Sequence, residues 1–236
     1  MNIPSRPVIC MKLPKNFPRY FLIAAFLLFT GIVFVVIQTA VIYHNVAPLN
    51  ATELAAQADY HSTVHVPHMA SVFPLLLFAN AGVALFILIV PLFWVWVWWF
   101  CRDLLDWIII VMQVTVCILM VALGHNSFAR IYLTYRLLPW QMIATIYLPH
   151  GWLEMLAFVL AGTAAFLTID ALRKYLSENG NASALHPGDI CLFILGWVWK
   201  IGLVIFVMMA VAAIIECQVT PLLVKSAFDA ALLSVT

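Results

Sequence analysis

Three ionisable side chains interrupt otherwise oily stretches of this chain: His150, Glu154 and Glu216. His150 and Glu154 are four positions apart, so on a helix they share one face. Below Glu154 that face continues as Ala157, Ala161 and Ala165, a small-residue stripe that lets another helix approach closely. Glu216 lies above Ala212 and Ala213 in the same way. A charged side chain at membrane depth costs about 2.5–3.5 kcal/mol on insertion scales, so it faces protein rather than lipid. The two helices are therefore expected to pack together, with His150, Glu154, Glu216 and Thr220 in one buried polar cluster. Pro149, Gly151 and Pro221 would shape the adjoining helix ends. Three chemistries fit such a cluster. It could be a hydrogen-bonded tie between helices, a divalent-metal or proton-relay site built from one imidazole and two carboxylates, or a contact for substrate.

The elements that must position these residues follow from composition. Of 236 residues, 66% are hydrophobic and 9% charged, and the mean hydropathy is +1.08. A soluble domain averages about 45–50% apolar and about 25% charged residues. That excludes a globular cytosolic enzyme, a nucleic-acid binder and a disordered chain, and leaves an integral membrane protein. The net charge of +1 steers the chain toward no anionic polymer. Five scattered cysteines make no disulfide framework.

Arg6, Lys12, Lys15 and Arg19 precede an apolar run from Tyr20 to Tyr43. A signal peptide's apolar region is only about 7–15 residues long, so this run is a retained first span; Met11 offers an alternative start. Further spans are expected at Val72–Phe100, ending in the Trp94, Trp96, Trp98 and Trp99 belt, at Leu104–Gly124 and at Gly151–Leu172. Asp189–Val224 is too long for one crossing. Placing Lys200 near the inner headgroups makes Lys200–Leu223 the span and Asp189–Trp199 its extension. Ile131–Leu148, broken by Arg136 and Pro139, reads as an interfacial or re-entrant helix. The expected fold is an all-α polytopic transmembrane bundle of about five spans plus that helix. A basic cytoplasmic tail (1–19) would lead into a single transmembrane domain (20–224) and a short outer tail (225–236). Lys and Arg gather on the cytoplasmic side, which places the chain in the cell membrane with its N-terminus inside.

Two segments carry a family resemblance. Leu148-Pro149-His150-Gly151-Trp152-Leu153-Glu154 is similar to a Pro-His-Gly-x-x-Glu signature, and Glu216-Cys217-Gln218-Val219-Thr220-Pro221 to a closing Glu-x-x-x-Thr-Pro signature. Together they resemble the stage II sporulation protein M family, also called DUF95. Phe78-Ala79-Asn80-Ala81-Gly82 resembles its early Asn-containing span, and Asn126-Ser127 stands where the family tends to have Asn-Gly. The resemblance covers about Val72 to Pro221. It implies a membrane protein with no established catalysis. Relatives serve in envelope remodelling during sporulation or in bacteriocin maturation, secretion or self-protection, often beside an ABC-type ATPase.

The chain has no Walker motif, dinucleotide fingerprint or nucleophile elbow, so an energy source would come from a partner. Such an ATPase could dock near Arg102 and Arg173–Ser183. His61, His65 and His68 have spacings that could face one metal ion, although Pro67 interrupts the helix they would need. Cys101 could be acylated. The expected function is a non-enzymatic membrane subunit or scaffold of a peptide-export, bacteriocin-maturation or envelope-remodelling complex. No cofactor is required, and a divalent metal is an option at His150, Glu154 and Glu216. Expected partners are the lipid bilayer, other membrane or envelope proteins and a possible second copy, with no nucleic acid. The alternatives are a metal-dependent intramembrane hydrolase or peptide ligase, and a proton-coupled secondary transporter.

Overall fold

The computed structural model describes residues 14–43, 51–60, 73–100, 104–135, 140–178 and 187–233. They form seven helices: α1 (Phe17–Tyr43), α2 (Ala51–Tyr60), α3 (Phe73–Phe100), α4 (Leu105–Tyr135), α5 (Trp140–Glu178), α6 (Pro187–Gln218) and α7 (Thr220–Leu233). The helices α1, α3, α4, α5 and α6 are long and apolar enough to cross a membrane, α6 running on into the start of α7. The protein is an all-α, multi-pass integral membrane protein. Many of these residues are β-branched or aromatic. They are helical nonetheless, because hydrocarbon offers the backbone no partner and a helix satisfies its own N–H and C=O groups. Hydroxyls obey the same constraint: Thr30, Thr115, Thr163 and Thr168 each donate to the carbonyl four residues back.

The central helix is α5, which packs against α1, α3, α4 and α6. Residues 161–169 are buried on every side, and the stripe Ala157, Ala161 and Ala165 is fully covered. Where α1 crosses α4 the two backbones nearly touch. A Cβ on Gly31 would run into the carbonyl oxygen of Val121, and one on Gly124 into that of Leu28. Glycine is needed there for close approach, not for a special backbone angle.

Three boundaries differ from those the sequence suggests. Ile131–Leu148 forms no helix of its own: 131–135 prolong α4 and 140–148 open α5, with 136–139 outside the described residues. Consequently Pro149 lies inside α5, not at its end. The proline forfeits one i→i−4 bond, and membrane helices tolerate that loss. The helix that carries Lys200 begins at Pro187, so Asp189–Trp199 is continuous with it, and it breaks only at Val219. Gly202 faces Leu85 and Leu88 in the middle of α3, and Lys200 is exposed on the bundle surface with its Nζ 5.8 Å from the Trp199 ring centroid. Beyond the break, residues 225–233 continue as α7, not as a tail, and α7 packs on α2, α5 and α6.

Candidate functional site

The polar residues gather where α3, α5, α6 and α7 meet. On α5, Tyr147, His150, Gly151 and Glu154 fall at helical spacings of three and four, so they project to one side. The ring of Tyr147 meets His150 edge-on, with centroids 5.2 Å apart and planes at 84°. Gly151 is buried beneath that ring, and a Cβ at this position would strike it. Thus Gly151 leaves room for the aromatic pair that sets the imidazole's orientation.

The helix break at Val219 supplies the opposing side. Val219 N–H still donates to the Ile215 carbonyl (2.8 Å), while Leu222 and Leu223 N–H both turn back to the Val219 carbonyl (3.1 Å each). Pro221, second in α7, has no N–H to leave unsatisfied and its fixed φ suits a helix start. Thr220 opens α7 and is buried, and its Oγ1 shares a 3.1 Å hydrogen bond with His150 Nδ1. The imidazole tautomer determines which of the two donates.

About one turn further along α5, Asn80 of α3 donates through Nδ2 to Glu154 Oε1 at 2.6 Å. Glu154 is 8% exposed, His150 5% and Thr220 3%, figures that make all three interior groups requiring partners. Glu216, half-buried near the end of α6, lies within electrostatic reach of Glu154 and of the Tyr147 hydroxyl.

His150 and Glu154 thus face different neighbours, a hydroxyl and a carboxamide respectively. Among the described residues no three His, Cys, Asp or Glu side chains stand close enough together to hold a metal ion. His61, His65 and His68 lie outside the described residues. Two contributors, Asn80 and Tyr147, were not among the candidate site residues. Asn80 is the only amide in an otherwise apolar α3, a signal of an interior partner in a membrane helix. Tyr147 shares the face of His150 and Glu154, a relation hidden by the proline between them. Chemically, the arrangement ties α3 and α7 to α5 through the Asn80–Glu154 and His150–Thr220 hydrogen bonds, with Glu216 of α6 close by. It also holds one carboxylate, Glu154, inside the bundle on a carboxamide donor.

No protein-family model, no curated protein and no solved structure matches the chain.

Proposed function

We propose that this protein is a non-enzymatic membrane subunit or scaffold of a peptide-export, bacteriocin-maturation or envelope-remodelling complex, of the kind that the sporulation-M resemblance implies. One observation carries the reading: the two resembling motifs, Pro149–Glu154 and Glu216–Pro221, are joined in space by the His150–Thr220 hydrogen bond. A sequence signature spread over two distant segments then marks one structural unit, the junction at which α7 and the end of α6 are fixed on α5. In this reading the junction presents α7 and α2 as a docking platform on the outer side. The N-terminus and the α5–α6 loop lie inside, where the loop residues would meet a partner ATPase.

Affinity purification of the tagged full-length chain from its native membrane tests the proposal. A membrane or envelope protein should copurify at near-stoichiometric level, and His150→Ala with Thr220→Val should release it while the five-span bundle persists. A chain that copurifies with nothing, or retains its partner unchanged in that variant, contradicts the role. A second reading, proton-coupled transport, draws on the Asn80–Glu154 pair. Uptake driven by a pH gradient in liposomes, without any ATPase and abolished in Glu154→Gln, would favour it over the scaffold.

A further inference from the structure

The opposite end of the bundle carries a second polar construction, at the seam where α1 packs on α5. Asp170 of α5 is its hub. The carboxylate oxygen Oδ2 accepts from Asn16 Nδ2 at 3.0 Å, and the Tyr20 hydroxyl lies near the same carboxylate. Tyr20 is held flat against Phe166, with centroids 5.8 Å apart and planes at 12°. Two guanidiniums converge on this tyrosine from different helices. Arg19 has its Cζ 5.9 Å from the ring centroid, and Arg173, one turn beyond Asp170, lies within electrostatic reach of the hydroxyl. Lys15 and Lys174 flank them, and all four cations are exposed.

The Asp170 carboxylate is oriented by the Asn16 amide. Among the described residues neither Arg19 nor Arg173 forms an ion pair. The level of the cluster follows from the apolar runs Tyr20–Tyr43 of α1 and Gly151–Leu172 of α5. Arg19 and Arg173 directly flank the ends of those runs, the level where Tyr and Trp belts meet headgroups. Arginine pairs geometrically with phosphate through its planar fork of donors, and basic groups at this level attract anionic lipid.

We propose that Arg19 and Arg173, set beside the Asn16–Asp170 hydrogen bond that joins the start of α1 to α5, form a binding site for the phosphate of an anionic phospholipid. The bound headgroup bridges α1 and α5, so the lipid acts as a strap across the seam. This inference does not depend on the role proposed above, because it concerns the other end of the molecule and a different ligand.

Native mass spectrometry of the full chain, released from mixed phosphatidylglycerol–phosphatidylcholine micelles, reads the selectivity directly. The wild-type chain should retain phosphatidylglycerol in clear preference to phosphatidylcholine. Each arginine at a membrane surface contributes about 1 kcal/mol. Arg19→Gln with Arg173→Gln should therefore lower the preference about thirtyfold, while Lys225→Gln, beyond the α6–α7 break, leaves it unchanged. The charge-preserving pair Arg19→Lys and Arg173→Lys should keep most of the preference, which guards against a misfolded glutamine variant. Equal retention of the two lipids by the wild type overturns the site. So does a preference that survives in the glutamine pair. Displacement of phosphatidylglycerol by millimolar inorganic phosphate would assign the site to free phosphate and overturn the lipid strap.

Discussion

A half-buried amide that donates to a buried carboxylate is exposed to a penalty when that acceptor goes, and Asn80 is in that position. Replacing one partner strands the other, at about 1–3 kcal/mol, whereas replacing both by apolar groups can be nearly neutral. Glu154→Leu is therefore expected to lower the unfolding free energy in a detergent-denaturation titration by that amount. Asn80→Leu/Glu154→Leu should recover most of the loss, and Glu154→Gln, which can still accept from Asn80 Nδ2, should lose little. A double variant as unstable as the sum of the single ones would show that the bond at 2.6 Å is not the operative contact. The charged members of this site were legible in the sequence, since a Glu or His in an apolar helix declares its cost immediately. Their actual partners were not. Asn80 and Thr220 are neutral and inexpensive to insert, so nothing in the string says that the amide serves Glu154 and the hydroxyl serves His150. That pairing is made by the packing of α3 and α7 against α5.

At the level of helices, glycine divides into two kinds. Gly31 and Gly124 sit where a Cβ would meet backbone, whereas Gly82 and Gly196 face open space with no atom within 4 Å. Overpacking against a backbone that cannot yield costs about 1–3 kcal/mol, while an unhindered Gly→Ala change in a helix gains roughly 0.5–1 kcal/mol. Gly124→Ala should accordingly lower the thermal midpoint of the solubilised protein, and Gly82→Ala or Gly196→Ala should hold or raise it. Matching shifts at all three positions would refute the tight α1–α4 crossing. Length and hydropathy alone exposed the five spans, because only a helix can satisfy the backbone in hydrocarbon. The ends were harder to read. Pro149 resembles a terminator by its chemistry, but the apolar turns of 144–148 preceding it have no better way to pair their backbone than to continue into α5. The α1–α4 contact was invisible for a different reason: Gly31 and Gly124 are 93 positions apart, and neither lies in a repeated pattern.

For the whole molecule the central matter is orientation and what it delivers. The proposed role has the N-terminus inside, which would put α2, α7 and the His150–Thr220 junction on the outer side and the Arg19–Arg173 seam on the inner one. In intact cells, a cysteine at Lys225 should react with a membrane-impermeant maleimide and a cysteine at Lys174 should not; the reverse pattern would invert the molecule and move the proposed docking platform to the cytoplasm. The same cysteine chemistry reaches the junction itself. In a background lacking the five native cysteines, His150→Cys with Thr220→Cys should be bridged by a short bifunctional thiol reagent in native membranes. The α1–α4 pair Gln38→Cys with His125→Cys, whose native side chains lie 3.0 Å apart, reports that the bundle is folded. Efficient bridging of both pairs is the expected result. Bridging at 38 and 125 without any at 150 and 220 would mean that the two motifs do not meet, and the junction on which the proposed role rests would not exist.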